Sequence, residues 1–270
     1  MSGEGPDLTI GIVSWNAAGD LRRCLEAMPA GLEGVRAQIV VVDNGSTDDT
    51  AAVLDAHPQV EAIRNARNVG LTPGRNQVVE RVRGRHVLML DADTQLRPGS
   101  ALALTRYLDD HPQVGLVGAK LLEVDGTLQL SCRTFPSPFL PFMRRPPLGP
   151  ILEHRRAVNR HLMRGYDHAH PRPVDWVLGA CQCYRAELLP VLGRYDERIF
   201  SHGGEDIDWC IRVWKAGREV HYVPEAEVVH AYGHFTRRNP FSKQAIRGLL
   251  DYFYMQAKHR DARHGFAPRP

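Results

Sequence analysis

Apolar residues in the first half of the chain fall into short runs separated by stretches with helical spacing. Leu8 to Ser14 is a β-rich run, and Leu21, Cys24, Leu25 and Met28 then recur at three- and four-residue steps, predicting a helix over Gly19 to Met28. Gln38 to Val42 is almost wholly apolar, as a strand covered on both faces should be, and it breaks at the turn signal Asp43-Asn44-Gly45. Ser46, with Asp49 three residues on, predicts a capped helix start. Val60 to Arg64 reads as a third strand, and Thr72-Pro73 as a helix start with proline at the first helical position. Val87 to Leu90 is a fourth strand that stops at Asp91. A helix from about Pro98 to Asp110 and a strand from Val114 to Ala119 follow.

This alternation predicts a parallel sheet with helices on both faces, joined by right-handed crossovers. Ligands of such sheets sit outside the carboxyl ends of the strands. Asn16, Asp43, Asn65 and the pair Asp91 and Asp93 all fall at that edge. In an extended chain Asp91 and Asp93 point to one side and Ala92 to the other. Two like charges so placed are either a solvated strand end or a site for a hard cation such as Mg²⁺ or Mn²⁺, which prefers oxygen ligands.

The pattern is lost from Ser131 to Pro173, where "FPSPFLPFMRRPPLGP" crowds prolines together and Arg144, Arg145, Arg155, Arg156, Arg160 and Arg164 meet little acid. A long mobile loop over 133–173 is expected, with one short helix near Leu152 to Leu162. Order returns at "VDWVLGACQCYRAELL" and in "GGEDIDWCIRVWKAG", a helix closed by Gly217. Ile207, Cys210, Ile211 and Trp214 form one stripe of that helix, with Asp206 and Asp208 on its flanks and Glu205 pointing away. Acids in a first turn are favoured by the helix dipole, by about 0.3–1 kcal/mol. The alternative is that one of them is a general base, which the flexible lead-in Gly203-Gly204 brings close to a ligand. His230 ends the strand-like run "AEVVH" and is either a hydrogen-bonded structural histidine or a third ligand beside Asp93; His234 is less informative.

From Phe241 to Arg263 a basic amphipathic helix is expected. Arg237, Arg238, Lys243, Arg247, Lys258, Arg260 and Arg263 outweigh Asp251 and Asp261 there, with Tyr252, Phe253 and Tyr254 among them. It is either a solvated helix packed on its own domain or a surface that docks on an anionic membrane.

Composition narrows the classes. The 270 residues suffice for one large core or two small ones, and 43% hydrophobic with 24% charged residues is ordinary for a soluble globular protein. A formal charge of +3 is too small to argue for nucleic acid, and the basic arms flank an acidic centre instead of forming a stripe. No run approaches the roughly 18–20 apolar residues of a membrane span. The short, polar Met1 to Asp7 is no signal peptide. Five cysteines form an odd set, and Cys181-Gln-Cys183 is too tight for a zinc knuckle, so reduced thiols in a cytoplasmic protein are expected.

Six stretches in order, "IVSWN", "VVDNGSTDDT", "NARNVGLTPGRNQ", "LMLDADTQL", "GEDIDWCIR" and "VVH", make the chain resemble the glycosyltransferase family 2 enzymes from Leu8 to about His234. The resemblance implies an α/β, GT-A (Rossmann-like) single domain with a mainly parallel central sheet flanked by helices, plus a C-terminal helical extension. Residues 1–236 would be the catalytic domain, with 1–120 the nucleotide-binding half and 121–236 the acceptor-binding half, and 237–270 the basic tail. The implied reaction is an inverting transfer of a sugar from a nucleotide diphosphate to a hydroxyl of a glycan or lipid-linked acceptor, assisted by a divalent metal, Mg²⁺ or Mn²⁺.

Carried over by position, Asp43 accepts the imide N–H of a uracil or thymine base. Ser14, Asn16, Asn68, Gly70 and Arg75 line the donor, Asp91 contacts ribose or metal-bound water, and Asp93 binds the metal with His230 beside it. Asp206 is the base, with Trp176, Gly179 and Glu205 on the acceptor side. The loop Leu71-Thr72-Pro73-Gly74 departs from relatives that carry a small residue and another glycine there, and Pro73 stiffens it. "SCRTFPSPFLPFMRR" and "GLLDYFYMQAKHRD" look like the rhamnosyltransferase branch, which implies dTDP-rhamnose as donor, with a UDP-sugar the main competitor. The expected place of action is the cytoplasm, peripheral to the inner face of the membrane. A sugar-nucleotide pyrophosphorylase would need a glycine-rich, basic loop where "SWNAAGDLRR" stands, and a non-catalytic binding module would tolerate loss of the acids, all of which are present.

Overall fold

The computed structural model describes residues 5–135, 155–199, 204–231 and 243–262. In chain order the elements are β1 (Leu8–Ser14), α1 (Ala18–Gly31), β2 (Ala37–Asp43), α2 (Thr50–Asp55), β3 (Val60–Arg64), α3 (Leu71–Val79), β4 (His86–Asp91), β5 (Thr94–Leu96), α4 (Ser100–Asp110) and β6 (Val114–Leu122). There follow β7 (Leu128–Gln129), β8 (Cys132–Arg133), α5 (Arg156–His161), β9 (Arg172–Pro173), β10 (Trp176–Val177), β11 (Cys181–Arg185), α6 (Leu189–Leu192), α7 (Gly204–Lys215), β12 (Glu219–His230) and α8 (Lys243–Lys258).

The main sheet runs β3-β2-β1-β4-β11-β6-β12-β5, with β7 added to β6 and β9 to β12. Its first four strands are parallel, as the alternating pattern predicts. Beyond β4 the order departs from succession: β11, from the second half of the chain, inserts antiparallel between β4 and β6. A GT-A architecture results, with α1, α2 and α4 burying one face of the sheet and α3, α7 and α8 the other.

Register fixes where the polar strand ends meet. Ser14 lies opposite Asp43, Asp43 opposite Arg64, and Val13 opposite Asp91. The chain steps from β1 outward through β2 to β3 and then crosses back to β4 on the other side of β1, so this edge is the crevice where such sheets bind ligands. Helix α3 lies unusually close to β1: a Cβ on Gly11 would sit 2.4 Å from Val78, and one on Gly74 2.8 Å from Val13. That close packing sinks Arg75 beneath the crevice, 3% exposed.

Several local expectations are corrected. Ser46 caps no helix. Its hydroxyl accepts from the Asn16 N–H, and α2 begins only at Thr50, whose N–H and hydroxyl both bond to Asp48. Proline is the third residue of α3, not the first, still within the turn whose N–H groups have no helical partner. The short helix expected near Leu152 to Leu162 is present as α5; residues 136–154 of the proline-rich loop lie outside the described residues. Helix α7 is more deeply buried than a single stripe requires: every residue from Gly204 to Ile211 is buried, Glu205 and Asp208 included. Of the tail, α8 covers Lys243 to Lys258, while Arg237, Arg238, Arg263 and His234 lie outside the described residues, as does Gly203. All five cysteines are buried and unpaired with one another.

Candidate active site

The acidic end of β4 is clamped from two sides. The Asp91 N–H donates to the carbonyl of Ala180, just before β11, and the Ala231 N–H, just after β12, donates to the Asp93 carbonyl. Strands β5 and β12 pair His230 with Thr94, which stands His230 next to Asp93. Asp91, Asp93 and His230 each offer a ligand atom, and these atoms lie within 4.8 Å of one another. Two carboxylates and one imidazole suit Mg²⁺ or Mn²⁺. Burial, with the like charge of Asp91 adding to it, raises the Asp93 carboxyl to about 6 against the opposing pull of His230.

Across the crevice, the first turn of α7 presents Glu205 and Asp206, 2% and 5% exposed. The Asp206 carboxylate accepts from the Gly179 N–H at 2.8 Å and from Arg75 Nη1 at 3.2 Å. Gly179 must be glycine here, because a Cβ would lie 1.9 Å from Asp206 Oδ1. Arg75 also reaches Asp91 at 3.4 Å, Glu205 at 3.5 Å and the Gly179 carbonyl at 3.3 Å. One guanidinium thus touches the acid at the end of β4 and the acids of α7 together, which brings the two groups to one place. Three carboxylates share this cation. Burial and the neighbouring Asp206 hold Glu205 well above the ordinary carboxylate range, Arg75 opposing.

The edge expected to bind the nucleotide is organised by Asn44, which the sequence pattern marks only as a turn residue. It is 2% exposed; its side chain donates to Asn68 and to the Gly70 carbonyl and accepts from the Val69 N–H, folding the 68–70 loop onto the end of β2. Asp43 takes the Ser46 N–H and Asn16, at a left-handed φ of 49°, takes the Thr47 N–H. Ser14 is at this edge with its hydroxyl enclosed, 1% exposed. The expected donor residues Ser14, Asn16, Asp43, Asn68, Gly70, Arg75 and Asp91 therefore gather along one edge. Trp176, expected on the acceptor side, is buried, and its indole N–H donates to the Thr134 carbonyl.

Two residues escaped sequence reasoning. Trp15 is a large side chain 53% exposed at this same edge, and its place inside "IVSWN" was the available signal. Gln129 Oε1 lies 2.7 Å from His230 Nδ1; it is 101 residues away and carries no local pattern.

The fold and this acid-lined cleft define a glycosyltransferase of the GT-A class. Residues 9–164 match the family description "Glycosyl transferase family 2", and the chain belongs to that family. It is 28% identical to the N-acetylglucosaminyl-diphospho-decaprenol L-rhamnosyltransferase of Mycobacterium tuberculosis (strain H37Rv), over 93% of this chain and 85% of that one. To the rhamnosyltransferase WbbL of Escherichia coli (strain K12) it is 37% identical over 32% of each. Among solved structures it is similar to GalNAc-T7, crystallised with UDP, GalNAc and Mn²⁺, with TM-score 0.66 and 16% identity over 96% of this chain, which spans half of that one. A second is the mannosyltransferase PcManGT of Pyrobaculum calidifontis in complex with GDP-Man and Mn²⁺, with TM-score 0.59 and 18% identity over 96% of this chain and 72% of that one. These structural likenesses show the fold.

Proposed function

We propose that the protein moves a sugar, with inversion, from a nucleotide diphosphate to a hydroxyl of a lipid-linked acceptor, and that rhamnose from dTDP-rhamnose is the donor sugar. The observation that carries the chemistry is the Arg75 guanidinium in contact with both Asp91 and Asp206. A leaving-group site and a base must face the two sides of one anomeric carbon, and a single cleft meets that demand. The rhamnosyltransferases named above support the sugar, and the decaprenol-linked name of one supports the acceptor class. A UDP-sugar is the competing donor, favoured by the UDP in one structural neighbour.

In this reading Asp91, Asp93 and His230 hold a divalent cation, which when bound neutralises the charge developing on the diphosphate leaving group. Asp43 receives the imide N–H of the base, and the 68–70 loop pinned by Asn44 forms the wall beside it. Asp206 takes the proton of the acceptor hydroxyl as its oxygen bonds to the anomeric carbon and the carbon–oxygen bond to the diphosphate breaks. A carboxylate oxygen has two acceptor positions, so the contacts from Arg75 and Gly179 leave one on each oxygen for this proton. Those two contacts also aim the carboxylate.

A lipid-linked acceptor calls for contact with a membrane, and α8 offers a surface for it. Ile246, Leu250 and Phe253 are 52%, 62% and 40% exposed at positions i, i+4 and i+7 of one helix face. No helix among the described residues is long and apolar enough to cross a membrane, so the proposed contact is peripheral. The charge expected of this tail is partly consumed internally: Lys258 pairs with Asp196 and Asp208 at 2.8 and 2.7 Å. Docking in this reading therefore rests on the apolar stripe more than on charge.

A panel of nucleotide sugars, incubated with Mn²⁺ and scored for slow hydrolysis, tests the donor without knowledge of the acceptor. Turnover of dTDP-rhamnose above UDP-sugars is expected, with Asp93→Ala removing it. Preference for a UDP-sugar would reject rhamnose, and equal turnover after exhaustive chelation would reject the metal.

A further inference from the structure

A metal-binding imidazole must present a lone pair, and which nitrogen carries it is set by the partner of the other. His230 stands 4% exposed at the end of β12 with Nδ1 2.7 Å from Gln129 Oε1 and Nε2 3.5 Å from Asp93 Oδ1. Gln129, itself 7% exposed, places its side-chain nitrogen 2.9 Å from Glu123 Oε1 and 3.5 Å from the His230 carbonyl. Glu123 in turn is fixed by the tight β6–β7 turn, where its N–H donates to the Thr127 carbonyl and its carbonyl accepts from Gly126.

The proton arrangement follows by elimination. An ionised Glu123 carboxylate only accepts, so the amide NH₂ of Gln129 must face it. The Gln129 carbonyl oxygen must then face His230, and an oxygen there requires that Nδ1 carry the hydrogen. In the neutral imidazole that leaves the lone pair on Nε2, the nitrogen turned toward Asp93. From this chain, and resting on the metal reading above, we propose that Gln129 is a positioning residue. It locks His230 in the Nδ1–H tautomer and aims Nε2 at the cation site, with Glu123 holding the Gln129 amide the right way round.

The tautomer is readable in metal-free protein by long-range ¹H–¹⁵N correlation of labelled histidines, without any variant. His230 protonated on Nδ1 is expected; His230 protonated on Nε2 overturns the proposal. Gln129→Met removes the acceptor, and Mn²⁺ affinity measured by electron paramagnetic resonance is expected to fall about 10–100-fold, with His230 becoming a mixture of tautomers. In a His230→Ala background the same change is expected to cost nothing further. An equal loss in both backgrounds would show that Gln129 acts only through the fold, and no loss in either would show that it does not act at all. Wild-type protein that takes up no Mn²⁺ would overturn the metal reading instead, and the metal-free tautomer identifies which of the two has failed.

Discussion

Arg75 is where the two sides of the cleft converge, and its surroundings set what single substitutions should do. Asp206→Asn keeps the hydrogen bond to a donor but offers no base, so turnover is expected to fall by about 10²–10⁴-fold while sugar-nucleotide binding, followed by calorimetry, is retained. Full activity would remove Asp206 from that role. Gly179→Ala attacks the same carboxylate from behind, since the added carbon would stand 1.9 Å from Asp206 Oδ1. Its kcat should drop toward that of Asp206→Asn, with KM for the donor little changed. Both residues lay inside quoted motifs, "GEDIDWCIR" and "VDWVLGACQCYRAELL", so their candidacy was legible. The guanidinium that joins Asp91 to Asp206 was not, because it spans residues 16 and 131 positions away in sequence.

At the scale of elements, the pairing of α7 with α8 is the least expected feature. Asp208, fully buried on α7, meets Arg212 at 2.6 Å, Lys258 at 2.7 Å and His259 at 2.7 Å, which ties the end of the tail helix to the helix that carries Asp206. Burial would raise the Asp208 carboxyl, but the hydrogen bond from His259 and the charges of Arg212 and Lys258 outweigh it and hold it at about 2, below its ordinary 3.8. A carboxylate so depressed lends stability above about pH 4 that is lost as pH falls toward 2, on the order of 2 kcal/mol. Denaturant melts should therefore show Asp208→Asn less stable than the wild type at pH 6, with the gap narrowing at pH 3. A gap that stays constant between those pH values would refute the ionic account.

The opposite face of α8 carries the second prediction at this scale. Leu250→Asp with Phe253→Asp should abolish sedimentation with phosphatidylglycerol vesicles and leave the melting temperature near that of the wild type, because both side chains are exposed. Unchanged sedimentation would end the membrane reading. The helix itself was legible from its periodicity, whereas the use of Lys258 inside the protein was not. A run of basic residues does not say which of them finds an acid 50 residues upstream.

For the whole molecule, metal is expected to act on folding as well as on turnover. A ligand that binds only the native state stabilises it by about 2.7 kcal/mol at one hundred times its Kd. Thermal melts of chelator-stripped protein should therefore rise by several degrees on adding Mn²⁺, and Asp93→Ala should cancel the rise; an equal rise in that variant would place the ion elsewhere. The elements that build this site come from the whole described chain, β1 to β4 on the proposed nucleotide side and β11, α7 and β12 on the other.

By itself the sequence determined most strands and helices of the first half, though not β5, together with the parallel sense of β1 to β4 and the set of acids at strand ends. These depend on periodicity and on the residue types that end an element, which are local properties of the chain. Tertiary structure alone decided that β11 separates β4 from β6, that Arg75 lies among three carboxylates, and that Gln129 reaches His230. Those outcomes depend on which distant strands share hydrogen bonds and which buried charges must find partners, and such choices are made only when the core closes.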